Sequence, residues 1–72
     1  MNYRLDSKKI SEKLGNLRLK KNVSQSQVAE SLGITKAAVS QYESGQRIPS
    51  DEVKIKLSNY YGVSVQDLFY TF

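Results

Sequence analysis

The sequence predicts an all-α domain, and three observations predict it. Apolar residues recur at helical spacing in several segments of the chain. Helix-start signals flanked by an apolar pair occur three times, and such pairs fix the angle at which the chain enters a helix. The chain has 72 residues, which is the size of one small domain with a thin hydrophobic core. We therefore expect one compact domain with five short helices.

The first helix is predicted over about residues 7–21. Ile10, Leu14 and Leu17 stand at positions i, i+4 and i+7, so they form one apolar stripe along a helix. Arg18 follows Leu14 by four residues and lies on the same stripe, which is an unusual position for a charged side chain.

The sequence SQSQ at residues 24–27 predicts the start of the second helix. It is a capping box, in which the Ser24 hydroxyl accepts a hydrogen bond from the Gln27 backbone and the Gln27 amide reaches back. Val23 and Val28 flank it as a hydrophobic staple. Staples of the same spacing predict two further helix starts, with Thr35 between Ile34 and Val39 and with Ser64 between Val63 and Leu68.

The fourth helix has competing signals. Residues 53–57, VKIKL, alternate apolar and basic side chains, which is a strand pattern. The flanking residues favour a helix, with helix-start and helix-stop types at Pro49, Ser50, Asp51, Glu52 and Gly62. Val53, Leu57 and Tyr60 also stand at i, i+4 and i+7. We therefore predict a helix here.

The charge balance favours a polyanionic partner. Lys and Arg number 11 against 7 Asp and Glu, which gives a net charge of +4 and a pI near 9.5. Much of the excess falls in residues 1–21. A basic small domain fits nucleic acid, although a lysine-rich solvated surface explains the same charge.

The composition excludes several function classes. The chain has no cysteine and no histidine, so it lacks the commonest general base and the commonest metal ligands. Its one pair of adjacent acids, Asp51 and Glu52, is placed as helix-start charge. We expect no enzyme activity, no cofactor and no metal. No apolar run approaches the ~18–20 residues of a membrane span, so we expect no membrane partner. The absence of cysteine fits a reducing cytosol, so we expect a cytoplasmic location.

The sharpest functional signal lies in about residues 25–44. Ala29 stands mid-helix, where a small side chain lets a second helix approach, and Gly33 follows where a tight turn needs positive φ. Val39 and Tyr42 form the inward side of the helix after the turn. This spacing resembles the helix-turn-helix of DNA-binding proteins.

A longer stretch resembles one family of bacterial and phage regulators. SQSQVAESLGITKAAVSQYESGQRIPS closely resembles the lambda-repressor-like, or Xre-type, class, as does YGVSVQDLF more loosely. With LGNLRLKKNVSQ, the resemblance covers roughly residues 10–69. It implies a five-helix bundle whose third helix lies in the DNA major groove.

The resemblance assigns base reading to one side of the third helix, at Lys36, Ala37, Ser40 and Gln41. The major groove is about 12 Å wide and admits a helix whose leading side is not bulky. Ala37 suits a thymine methyl and Gln41 suits adenine N6 and N7, while Lys36 suits guanine or phosphate. Helix propensity is the alternative explanation for Ala37, and a solvated surface is the alternative for Gln41.

The resemblance also assigns phosphate contacts, which fix the helix in the groove without reading sequence. They are expected at Gln25, Thr35, Ser44, Gln46 and Arg47. Capping alone explains Thr35 equally well, and an ordinary surface charge is the alternative for Arg47.

An ion pair is implied between Arg18 and Glu43, joining the first and third helices and accounting for the arginine on an apolar stripe. Two positions depart from the family pattern. Lys54 stands where the family has an apolar residue, and Tyr61 where it has leucine. We expect the fourth helix to pack differently, through Val53 and the stem of Lys54.

The C-terminal sequence DLFYTF is apolar, and a two-fold partner is the simplest cover for it. Phe69, Tyr70 and Phe72 are the dimer-interface candidates. The alternative is that Leu68 and Phe69 complete the core of this chain. We divide the chain into a short extension at 1–6, one domain at 7–70 and a terminal end at 71–72.

The sequence thus predicts a small, DNA-binding transcriptional regulator, a repressor that acts as a homodimer on a roughly palindromic operator. Because the chain is barely longer than the predicted domain, we expect no small-molecule ligand. A protein-interaction module of the same fold, such as an antitoxin or adaptor, is the alternative, and it would need no basic side chains around the third helix.

Overall fold

A computed structural model describes residues 6–70 of the chain. Within this part the protein has five helices and no strand. Four are α-helices: α1 (Ser7–Lys21), α2 (Gln25–Leu32), α3 (Lys36–Ser44) and α4 (Asp51–Tyr61). The fifth, Gln66–Tyr70, is a single turn of π-helix, called here the C-terminal turn. The all-α prediction is confirmed, and the helix predicted over VKIKL is present as part of α4.

Short polar side chains begin each of the helices. The capping box at α2 has both of its hydrogen bonds, since Gln27 N donates to Ser24 Oγ at 3.1 Å and Ser24 N donates to Gln27 Oε1 at 2.7 Å. At the other helix starts a side-chain oxygen likewise accepts a hydrogen bond from a backbone N–H three residues later; these oxygens belong to Asp6, Thr35, Ser50 and Ser64. Each bond satisfies a backbone N–H that has no partner inside its helix.

The turn between α2 and α3 has the conformation that its glycine predicts. Gly33 has φ of 69°, in the left-handed region, and its N–H bonds back to the end of α2. Residues with a Cβ enter this region at a cost, so glycine is the favoured residue. Thr35 then begins α3 two residues later. The tight connection fixes the angle between the two helices.

The core draws on all five helices. Its most deeply buried large side chains are Phe69, Ile10, Leu14, Leu68 and Val28. Helix α1 packs mainly against α3, and α2 also packs against α3. Ala29 is buried in α2, where its small side chain permits this close approach. Helix α3 is therefore packed against both α1 and α2.

Phe69 corrects the predicted dimer interface. Its side chain is 0% exposed, so the ring belongs to the core of this chain and offers no surface to a partner. The prediction for Phe69 is wrong because so small a domain needs this ring to complete a thin core. Tyr70 is 40% exposed and stays a candidate. Phe72 lies outside the described residues.

Lys54 takes an apolar position in α4 by pairing its ammonium group. The residue is 5% exposed, and its Nζ donates to Tyr70 Oη at 2.9 Å. The same nitrogen lies 5.1 Å from the Tyr70 ring centroid and 5.7 Å from that of Phe69. A buried ammonium group needs such partners to offset its lost hydration. Lys54 therefore ties the C-terminal turn to α4.

Tyr61, the second departure, is half-buried at the end of α4. Its ring meets that of Tyr60 edge to face, with centroids 5.0 Å apart.

Among the described helices, none is both long and apolar enough to cross a bilayer.

Candidate nucleic-acid interface

Helix α3 has two sides of different chemistry. Ala38, Val39 and Tyr42 are buried and hold the helix against the core. Lys36, Ala37 and Ser40 are exposed, and Gln41 is half-buried. These four outward residues stand at i, i+1, i+4 and i+5, so they share one side of the helix. The structure therefore brings all four predicted base-reading residues together.

The outward side of α3 is low and polar. Ala37 contributes only a methyl group, and Ser40 contributes a hydroxyl that both donates and accepts. Gln41 contributes a carboxamide, which can donate and accept in one plane. Lys36 adds a positive charge at the first position of the helix. These groups match hydrogen-bonding and methyl groups on base edges, and none is bulky enough to keep α3 out of a groove.

The predicted phosphate-contacting residues lie around this side. Thr35 is exposed at the start of α3, where its hydroxyl accepts from Ala38 N at 3.0 Å. It therefore acts as a cap, while its own O–H remains a donor. Ser44, Gln46 and Arg47 are all exposed at the other end of α3. The set thus brackets the helix at both ends.

Two contacts within this set were not predicted from the sequence. The Arg47 guanidinium carbon lies 5.5 Å from the centroid of the buried Tyr42 ring. Ser44 Oγ donates to the Gln41 carbonyl at 3.2 Å. Arg47 lies beyond the end of α3 and Tyr42 within it, so no helical spacing in the sequence indicated their contact. A serine inside a helix does not by itself indicate the Ser44 bond either.

Gln25 is held more firmly than a surface glutamine. It is the first residue of α2 and is half-buried. Its Nε2 donates to Glu43 Oε1 at 3.2 Å, which ties the start of α2 to the end of α3. This contact was not predictable from local spacing, because the two residues stand 18 positions apart.

The implied ion pair between Arg18 and Glu43 is present. Arg18 Nε lies 2.9 Å from both carboxylate oxygens of Glu43, and the arginine also donates from Nη1 to the Val23 carbonyl at 3.1 Å. The side chains are 18% and 9% exposed. This pair joins α1 to α3 directly behind the candidate interface.

The Glu43 carboxylate also acts on Tyr61. Burial, and after it the nearby charge of Glu43, raises the pKa of the Tyr61 phenol to about 12, with Tyr60 adding to the shift and Arg18 opposing it. Tyr61 is therefore a neutral phenol at physiological pH. Arg18, Gln25, Glu43 and Tyr61 thus form a polar junction, with one residue each from α1, α2, α3 and α4.

Among residues 6–70, no group of three or more His, Cys, Asp or Glu side chains could hold a metal ion.

The chain matches a known family over most of its length. The family described as Helix-turn-helix (HTH_3) matches residues 14–68. The HTH-type transcriptional activator BcrR of Enterococcus faecalis is 37% identical over 59 residues, which are 82% of this chain and 29% of BcrR. The cryptic phage CTXphi transcriptional repressor RstR of Vibrio cholerae is 35% identical over 60 residues, which are 83% of this chain and 54% of RstR. The chain thus covers less than two thirds of the length of each of these two relatives.

The fold is similar to that of a solved regulator of nearly the same length. The restriction-modification controller protein C.AhdI of Aeromonas hydrophila superposes with a TM-score of 0.81 and 31% identity. The match covers 89% of this chain and 97% of C.AhdI. The family match, the relatives and the solved structure agree, and this family consists of DNA-binding transcriptional regulators, which are not enzymes. The chain belongs to the helix-turn-helix family of DNA-binding transcriptional regulators, of the lambda-repressor-like (Xre) type.

Proposed function

We propose that this chain is a sequence-specific transcriptional regulator that inserts α3 into the DNA major groove. The observation that carries the proposal is the outward side of α3, where Lys36, Ala37 and Ser40 are exposed beside Gln41. Helix propensity accounts for Ala37 alone and a solvated surface accounts for Gln41 alone, but neither accounts for small, hydroxyl and amide side chains together on one side of the helix. A helix that reads base edges needs groups of this kind.

Base reading is divided among these four residues. Gln41 pairs with adenine through N6 and N7, and the Ala37 methyl meets a thymine methyl. Ser40 bonds to whichever base edge faces it, and Lys36 donates to guanine or to a phosphate. A bidentate contact of this kind discriminates by about 1–3 kcal/mol, so Gln41 contributes the most selective contact.

Phosphate contacts fix the register of α3. Thr35 anchors one end of the helix, and Ser44, Gln46 and Arg47 anchor the other. Gln25 adds a contact from the start of α2, where N–H groups at the helix end also favour an anion. The net charge of +4 supplies long-range attraction to the polyanion.

We further propose a homodimer that represses transcription by occupying a roughly palindromic operator. Support comes from RstR, which is named a transcriptional repressor, and from C.AhdI, which is named a controller protein. A two-fold dimer places its two α3 helices on half-sites about 34–36 Å apart, or a multiple of that spacing. Its operator, and hence the protein, would be in the cytoplasm. BcrR is named an activator, so the direction of regulation needs its own measurement with a promoter carrying the selected site.

Selection from a random pool of duplex DNA tests the proposal. The purified protein is offered the pool at about 50 and 200 mM salt, because nonspecific phosphate binding weakens steeply over this range whereas a base-specific preference persists. We expect a two-fold symmetric motif to be enriched at both salt concentrations. Sedimentation with the selected duplex then gives the number of chains bound for each site.

Other outcomes contradict the proposal in separable ways. Retention that disappears at the higher salt with no motif enriched would reduce the interface to nonspecific attraction, and a protein-interaction module would become the better account. An asymmetric motif bound by one chain would retain sequence-specific binding and reject the dimer.

A further inference from the structure

Glu43 connects the three helices that build the candidate interface. Both of its carboxylate oxygens accept from Nε of Arg18, in α1, at 2.9 Å. The same Oε1 accepts from Nε2 of Gln25, the first residue of α2, at 3.2 Å. The Glu43 side chain is 9% exposed, so these bonds are largely sheltered from water. The carboxylate therefore has two partners of different kinds, a guanidinium group and an amide.

We propose that Glu43 is a positioning residue for DNA binding, which acts by holding the Gln25 carboxamide ready for a phosphate. The inference rests on the proposed function, since it concerns the same interface. A carboxamide nitrogen has two hydrogens, and Glu43 uses one of them. The other hydrogen stays available to an oxygen outside the protein. Glu43 thereby acts through Gln25 and needs no contact with DNA.

Arg18 makes this arrangement compatible with a polyanion. A lone carboxylate beside a phosphate-binding group would repel the phosphate, because like charges at short range disfavour one another. The guanidinium group lies against both Glu43 oxygens and cancels their charge locally. The carboxylate keeps its strength as an acceptor for Gln25, since bonds to an ionised group are stronger than neutral ones. The ion pair therefore has a second use beyond joining α1 to α3.

Positioning strengthens DNA binding because the Gln25 side chain is already ordered before DNA binds. A long side chain that becomes fixed only on binding weakens association by its lost rotamer freedom, and a side chain already fixed avoids that loss. This corresponds to about a two- to tenfold difference in affinity. Half-burial of Gln25 at the junction is consistent with such order in the free protein.

A set of matched variants separates positioning from folding. Gln25→Ala is measured in three backgrounds against the duplex that the wild-type protein selects. The first is the wild type, and the second is Glu43→Gln, which keeps an acceptor oxygen. The third is Arg18→Met with Glu43→Met, which removes the acceptor and leaves no unpaired buried charge. Apolar replacement of a buried ion pair is often neutral for stability, so this background is expected to fold.

We expect Gln25→Ala to weaken binding about two- to tenfold in the wild type and in Glu43→Gln, and less than about twofold in the Met/Met background. An equal loss in all three backgrounds would overturn the proposal, because Gln25 would then need no help from Glu43. No loss in the wild type, or a loss absent from Glu43→Gln, would overturn it as well.

The side-chain amide resonances of Gln25 supply a readout without DNA. Held by Glu43, the two amide protons should show dispersed shifts and slowed exchange in the wild type and in Glu43→Gln. Shifts typical of an unfolded chain in the wild type would overturn the proposal, even if the Met/Met variant failed to fold. If the wild type selects no DNA at all, the proposed function fails and this inference fails with it. If selection succeeds but the backgrounds behave alike, only this inference fails.

Discussion

Gln41 is the single residue on which base discrimination should depend most. It is half-buried on the side of α3 that also carries Ser40, so its carboxamide has limited freedom. We predict that Gln41→Ala relaxes preference at one base pair in each half-site and costs about 1–3 kcal/mol on the preferred site. Repeating the duplex selection with the variant measures both effects.

Asn59→Ala is the matched control for Gln41→Ala, since it removes an exposed carboxamide from α4. It should leave the selected motif unchanged. A Gln41→Ala motif identical to that of the wild type would show that Gln41 reads no base.

Arg47 should act on every DNA sequence alike. It is exposed just beyond α3, and its guanidinium group lies against the Tyr42 ring. We predict that Arg47→Ala weakens binding to specific and random duplexes by a similar factor. The slope of log affinity against log salt should become shallower by about 1, the loss of one phosphate contact. Fluorescence anisotropy over a salt series measures the slope.

Lys8→Ala provides the comparison for Arg47→Ala, because it removes an exposed positive charge at the start of α1. Equal changes of slope in the two variants would mean that Arg47 contributes only to the general charge. A loss of preference between bases in Arg47→Ala would contradict its assignment to phosphate.

At the scale of helices, two glycines make a controlled pair. Gly33, at the end of α2, has φ of 69°, and a Cβ added there would meet nothing within 4 Å. The cost of Gly33→Ala is thus conformational, and we predict a loss of about 1–2 kcal/mol in the free energy of unfolding. Gly15 lies inside α1, where an added Cβ would be 3.9 Å from Glu43 Oε1, an ordinary contact. Gly15→Ala should gain about 0.5–1 kcal/mol.

Chemical denaturation of both glycine variants measures the difference. Equal changes of the same sign in the free energy of unfolding would show that the left-handed conformation at Gly33 does not require glycine.

Arg18 couples two helices, so its loss should affect folding before binding. Removing it leaves the Glu43 carboxylate, 9% exposed, without its positive partner. For a well-buried pair such a change costs about 3–5 kcal/mol, and the partial exposure of Arg18 places the expected loss near the lower end. Thermal unfolding of Arg18→Ala tests this. If the folded fraction of the variant also lost DNA affinity by more than about tenfold at low temperature, Arg18 would act on binding as well as on folding, as expected if its charge shields a phosphate from Glu43.

The helix boundaries were predictable because their determinants are local. The Ser24 capping box and the Gly33 turn each depend on residues within a few positions of one another, so the sequence displays them together. The outward side of α3 was predictable for the same reason, since helical periodicity alone places Ala37 and Gln41 on one side.

Long-range contacts were not predictable from local patterns. Phe69 lies in the apolar C-terminal sequence DLFYTF, which suits either a core or an interface, and only the packed fold shows that its ring fills the core. Lys54 pairs with Tyr70 across 16 positions, and Gln25 pairs with Glu43 across 18. The Arg18–Glu43 pair was anticipated through family resemblance, because residues 25 positions apart display no spacing that signals contact.

At the scale of the whole molecule, the polar junction makes stability depend on pH. Helices α1, α3 and α4 meet around Tyr61, and burial, followed by the Glu43 charge, raises the pKa of its phenol from 10.0 to about 12. Below pH 10 the phenol is protonated in both the folded and the unfolded chain, so its contribution is fully present. Between the two pKa values the unfolded chain releases this proton and the folded chain keeps it. Unfolding therefore becomes more favourable as pH rises.

The part of the alkaline loss of stability that Tyr61 causes should disappear when its phenol is removed. A shift of this size would correspond to about 2.7 kcal/mol for a fully buried group, and the half-exposed position of Tyr61 reduces the expected loss to about 1 kcal/mol. Denaturant unfolding of the wild type and Tyr61→Phe at pH 9, 10 and 11, values that bracket an ordinary phenol pKa of about 10, gives the two pH profiles. We expect the wild-type free energy of unfolding to fall more steeply with pH than that of the variant. Parallel profiles would mean that the phenol titrates alike in the folded and unfolded chain, so neither burial nor the Glu43 charge would raise its pKa.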